Sequence, residues 1–238
     1  MAEKNIVKKD LTDFPFEEVS NLKWLISFIV LVGGFIFVTN FLILLPIKIT
    51  NPYAVGFLFL FFCILSLLIL DKKAIIKLFK PLKKRDIAVV LSTIIIAYIL
   101  AIVVSMGQKD LVKNPITQVI NNRTIFKILF LTAFQLIGEE ILFVVPFLFI
   151  YNKLKYRTSR NVAIIIAWII SSLFFGMLHL QTYSFNIFQA LILIGAIRMG
   201  ISLSYILTKN LTASYLAHFL YDSMILVGVA FAASKGIV

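Results

Sequence analysis

Seven uninterrupted apolar stretches, near residues 24–45, 52–70, 87–106, 125–151, 162–180, 186–207 and 211–231, take up most of this chain. About 20 apolar residues suffice for a helix to cross the hydrocarbon core of a bilayer. A soluble helical protein would need a polar face on each helix, and these stretches lack one. Charged residues make up only 14% of the sequence, and the mean hydropathy is +1.02. The expected fold is therefore an all-α, polytopic transmembrane bundle of about seven spans. The first stretch, Trp24 to Leu45, is too long for a signal-peptide core and has no small-residue cleavage site after it, so it reads as a span. The residues before it, including Asp13, Glu17 and Glu18, read as a solvated tail. Cys63 is the single cysteine, which leaves no internal disulfide.

A net charge of +12 raises nucleic-acid binding as a class, but the distribution of the charge excludes it. Lys72, Lys73, Lys77, Lys80, Lys83, Lys84 and Arg85 share one loop, and Lys153, Lys155, Arg157 and Arg160 share another. With the N-terminus inside, these residues fall on the inner side together with Lys4, Lys8, Lys9, Lys23 and Lys209. Lys48, Lys109, Lys113, Arg123, Lys127 and Lys235 fall outside. This is the positive-inside bias of a membrane protein, with some attraction to anionic lipids. The short loops and the Lys- and Ile-rich composition point to a bacterial cytoplasmic membrane.

The character of the chain changes near residue 121. Three regions follow: a cytoplasmic N-terminal tail over 1–22, a three-span scaffold over 23–120 without acids or histidines in its spans, and a four-span working core over 121–233. Glu139, Glu140, His179, Arg198, His218 and Asp222 all lie in the last. Ionisable groups at membrane depth are costly unless paired or hydrated, and they commonly mark function. Glu139 and Glu140 sit midway along their span, about 100° apart around the helix, so both can border one cavity. Two adjacent carboxylates in a low dielectric do not both ionise easily. One is expected to be protonated or paired, and the other to act as a general base. A structural ion-pair anchor is the alternative for the pair. Phe175-x-x-x-His179 and His218-x-x-x-Asp222 each place two residues on one helix face. Arg198 either neutralises one of the glutamates or snorkels to the inner interface.

Such a set supports two hydrolytic chemistries. In one, a glutamate activates water and the histidines stabilise an oxyanion. In the other, His179, His218 and Glu139 bind zinc, which acidifies the water. No His-Glu-x-x-His is present, and spacing alone does not choose. A proton-coupled transporter would be expected to show inverted repeats, and none is visible.

The ordered trio Glu139-Glu140, Phe175-x-x-x-His179 and His218-x-x-x-Asp222 resembles the CPBP family of CAAX prenyl protease and bacteriocin-processing (Abi) membrane proteins. The resemblance covers about residues 121–233. It implies an intramembrane endopeptidase in which Glu139 activates water, Glu140 supports it, His179 and His218 serve the oxyanion or the proton, and Asp222 orients His218. It further implies no resident cofactor, with zinc as the alternative, and a membrane protein or a lipidated or hydrophobic peptide as substrate. One motif residue differs. The family's first motif places an arginine where this chain has Val144, followed by Val145 and Pro146. Either Arg198 supplies the cation from a neighbouring helix, or the chain is a non-proteolytic relative that acts by binding a partner, as in bacteriocin self-immunity or regulation of another membrane protein. Threading the spans also leaves His179 and His218 about 10 Å apart in depth.

Overall fold

The computed structural model describes residues 14–41, 52–121 and 123–236. In chain order the helices are α1 (Asn21–Ile36), continued by a wider turn over Phe37–Phe41, α2 (Pro52–Leu70), the short α3 (Ala74–Leu78), α4 (Lys84–Ser105), α5 (Ile125–Leu154), α6 (Arg160–Met177), α7 (Gly195–Thr208), preceded by a wide turn over Phe188–Ile194, and α8 (Leu211–Ser234). Among the described residues, seven helical segments are long and apolar enough to cross a membrane. The chain is an integral membrane protein, and among the described residues there are no strands. Helices are the expected answer, because hydrocarbon offers the backbone no partners and a helix satisfies its own. The starts of α1, α6 and α8 carry side-chain caps. The side chains of Ser20, Ser159 and Asn210 accept from the backbone N–H groups of Lys23, Val162 and Thr212.

α5 is the axis of the bundle. It runs 30 residues, about 45 Å, and packs against α1, α2, α6 and α8. Residues 141–148 are all buried, on every face of the helix. A helix that is apolar all round belongs inside, and here protein rather than lipid surrounds it. Pro146 lies within this stretch. α4, which sequence reading grouped with the scaffold, packs against α7 and α8. Gly138 and Gly176 are among the glycines that allow close approaches: a Cβ on Gly138 would collide with the Phe59 ring of α2, and one on Gly176 with the carbonyl oxygen of Ala190.

The two ends of the bundle differ. At one end lie Lys23, the 71–86 loop, the 152–160 loop and Lys209. This end is closed by aromatic packing. Phe14 sits 5.2 Å from Phe147, 4.9 Å from Tyr151 and 5.7 Å from Tyr205 between ring centroids. Asn152 Nδ2 donates to the carbonyls of Pro15 and Phe16 at 3.3 Å each, and Lys155 pairs with Glu17 at 2.9 Å. The expectation of a solvated tail is corrected over residues 14–20. Phe14 and Phe16 are buried, and burial of two aromatic rings outweighs the charge of the neighbouring glutamates, one of which finds a lysine. Residues 1–13 lie outside the described residues.

Candidate active site

Glu139 and Glu140 are consecutive on α5, so their side chains leave the helix in different directions. Glu140 points into the protein and is fully buried, whereas Glu139 keeps 9% of its surface. That small difference divides them into two environments.

Arg198 of α7 grips Glu140 with both branches of its guanidinium. Nη1 donates to Oε1 at 2.6 Å and Nη2 donates to Oε2 at 2.9 Å. Arg198 is itself buried, at 1% exposure, and therefore does not snorkel. Its planar cation lies 4.5 Å from the ring centre of Phe143 and 4.8 Å from that of Phe175, a cation–π arrangement that is strongest when dry. Ser202 ties the same turn of α7 to α6, donating to the Arg198 carbonyl at 2.7 Å and accepting from Trp168 Nε1 at 2.9 Å.

The third partner is His218 of α8. Its Nδ1 donates to Glu140 Oε1 at 2.9 Å, and Arg198 Nη1 passes 3.2 Å from the same nitrogen. With Nδ1 turned to Glu140, Nε2 faces the other way. It stands 3.9 Å from Glu139 Oε2 and 3.8 Å from Asp222 Oδ2. Both distances exceed a direct hydrogen bond, so it is Glu140 that bonds the ring, while Asp222 stands near its free nitrogen.

Glu139 borders a cavity of about 520 Å³. His179, Gln135, Thr39 and Thr182 supply the other polar groups of its wall, and Phe35, Val38, Val55, Phe59, Leu131, Leu142 and Leu178 the apolar surface. Gln135, one turn before Glu139, donates from Nε2 to Glu139 Oε1 at 2.7 Å. α6 stops at Met177, and His179 lies in the turn beyond it, its Nδ1 donating to the Phe175 carbonyl at 2.9 Å. The expected difference in depth between the histidines is bridged by Phe175, whose ring centre is 4.7 Å from that of His179 and 6.3 Å from that of His218. Cavity volume, a polar carboxylate and apolar wall surface are the ingredients of a site for water and a hydrophobic chain.

The structure thus draws Glu139, Glu140, Arg198, His218, Asp222 and Phe175 into one neighbourhood and sets His179 with Glu139 on the cavity wall. Val144, where the family motif carries arginine, is fully buried in the apolar core, and the guanidinium reaches Glu140 from α7 instead. Sequence reading missed Gln135, for which the signal was a lone amide one turn from Glu139. It also missed the wall supplied by α1 and α2, for which there was no signal. Among the described residues, no three His, Cys, Asp or Glu side chains are disposed to hold one metal ion. His179, His218 and Glu139 do not form such a set.

Comparison with known proteins agrees with the motif reading. Residues 121–224 match the family model described as type II CAAX prenyl endopeptidase Rce1-like, an interval that contains every motif residue from Glu139 to Asp222. No curated protein and no solved structure matches the chain.

Proposed function

We propose that this chain, whose residues 121–224 match the Rce1-like CAAX prenyl endopeptidases, is an intramembrane endopeptidase that hydrolyses a peptide bond of a membrane protein or of a lipidated or hydrophobic peptide. The observation that carries this reading is the division of labour between the adjacent glutamates. Glu140 is committed to Arg198 and His218, and Glu139 is left facing a cavity large enough for water and substrate. Its place is the bacterial cytoplasmic membrane, with the N-terminus inside.

The chemistry follows from these positions. Glu139 takes a proton from a water molecule in the cavity as the water oxygen bonds to the scissile carbonyl carbon. Gln135, bonded to the other carboxylate oxygen, fixes the direction of the remaining lone pairs. The tetrahedral oxyanion is met by His218 in its doubly protonated form, with Nδ1–H on Glu140 and Nε2–H on the side of Glu139 and Asp222, and by His179 at the cavity wall. The C–N bond then breaks, and the proton on Glu139 passes to the leaving amine. Glu140 and Arg198 hold His218 with Nε2 toward the cavity throughout.

Val144 favours a second reading, a partner-binding relative active in bacteriocin self-immunity or in regulation of another membrane protein. The bidentate Arg198–Glu140 pair supports the first, because it supplies a cation that a degenerate site would have no reason to keep.

The test is turnover of a fluorescence-quenched apolar peptide, with and without a prenylated C-terminus, by the purified protein in lipid nanodiscs. Wild type cleaves, with and without EDTA. Glu139→Gln loses roughly 10²–10⁴-fold in rate, as removal of a general base does. Function in the cell that persists in Glu139→Gln and His218→Ala would favour the binding reading.

A further inference from the structure

The cavity lies at one end of the bundle, toward the same end of each helix that lines it. On α1 and its continuation it takes Phe35, Val38 and Thr39, at the far end from Lys23. On α2 it takes Val55, Gly56 and Phe59, at the far end from Asp71 and the lysines that follow. On α5 it takes Leu131, Gln135 and Glu139 in the first half, whereas Lys153 closes the helix. Beyond α6 it takes His179 and Thr182, past the end remote from Arg160. Only Leu142 extends it slightly beyond mid-depth.

The opposite direction is blocked. From Glu140 and Arg198 toward the basic end the path meets Phe143, Phe147, Tyr151 and Tyr205 in turn, each no more than 1% exposed, and then the buried Phe14. Phe143 and Phe147 stack at 5.8 Å, and Phe147 and Tyr151 at 6.3 Å. This column offers water and substrate no route.

Resting on the reading of the site given above, we infer that the cavity opens on the face of the membrane opposite the basic loops. By the positive-inside rule that is the non-cytoplasmic face. The substrate class narrows accordingly to an apolar peptide or membrane segment whose scissile bond lies at outer-leaflet depth: an exported peptide or the outer part of a membrane-spanning chain. A cytosolic prenylated tail does not reach Glu139 by this route. The chemistry of the wall fits the narrower class, with Phe35, Val38, Val55 and Phe59 offering apolar surface beside the Glu139 carboxylate and the His179 imidazole.

Single-cysteine accessibility tests this without reference to catalysis. Cys63 is buried, and a Cys63→Ala background carries Thr39→Cys, Thr182→Cys or Lys72→Cys in turn. The probe is a membrane-impermeant maleimide, applied to intact bacterial cells and to permeabilised ones. The expected result is labelling of Thr39→Cys and Thr182→Cys in intact cells and of Lys72→Cys only after permeabilisation. Labelling should also abolish peptide cleavage in the two cavity variants and spare it in Lys72→Cys. The inference is overturned if Lys72→Cys reacts in intact cells, or if the cavity cysteines react only after permeabilisation or not at all. Absence of cleavage with the expected labelling pattern would instead remove the protease reading and leave the orientation standing.

Discussion

Arg198 and Glu140, 58 residues apart in sequence, form a two-pronged ion pair with no exposed side-chain surface on either partner. Breaking a buried pair by removing one partner leaves an uncompensated charge and costs about 3–5 kcal/mol. Arg198→Ala and Glu140→Gln are each expected to lower the unfolding temperature and abolish turnover. The double change Arg198→Met with Glu140→Leu should regain most of the stability, since apolar residues of similar volume replace such pairs well, while turnover stays absent. Thermal unfolding in detergent beside peptide cleavage reads both effects.

The position of that guanidinium gives a second expectation. Val144 packs against the apolar core with no exposed surface, so the family's arginine has no room there. Val144→Arg is expected to destabilise by several kcal/mol through a buried unpaired charge, and it should not rescue Arg198→Ala. Recovery of cleavage in Val144→Arg with Arg198→Ala would show that the motif position still reaches Glu140.

Gly56 lines the cavity, and a Cβ there would meet nothing within 4 Å. Gly56→Phe is expected to fill the cavity and lower kcat/KM by roughly tenfold or more, with little change in unfolding temperature. Gly33 has equal space but lies outside the cavity wall. Gly33→Phe therefore controls for bulk on an apolar helix and should leave cleavage near wild type.

The spans were legible in the sequence because a bilayer demands about 20 apolar residues per crossing and leaves few alternatives. The ionisable residues of the site were legible for the complementary reason: Glu139, Glu140, Arg198 and His218 stand out in an apolar background where each is costly. What could not be read was which way a helix faces. α2 is so uniformly apolar that no stripe distinguishes Gly56 and Phe59, on the cavity, from the lipid-facing Phe57 and Phe61. The partner of Arg198 was open for the same reason, since rotation about α7 decides between Glu140 and the interface. Phe14 and Phe16 were hidden by their acidic neighbours, which made a docked segment look like a tail. Phe175, one of 23 phenylalanines, acquires meaning only when its ring is seen between the two histidines.

Glu139 and Glu140 are adjacent in sequence but are proposed to do different work, and measuring stability and turnover together on the two glutamine variants separates the roles. Glu139→Gln is expected to keep the unfolding temperature of wild type, because its amide can still pair with Gln135, and to lose peptide cleavage. Glu140→Gln is expected to lose both. Cleavage at the wild-type rate by a stably folded Glu139→Gln protein would contradict the assignment of Glu139 as the base that activates water.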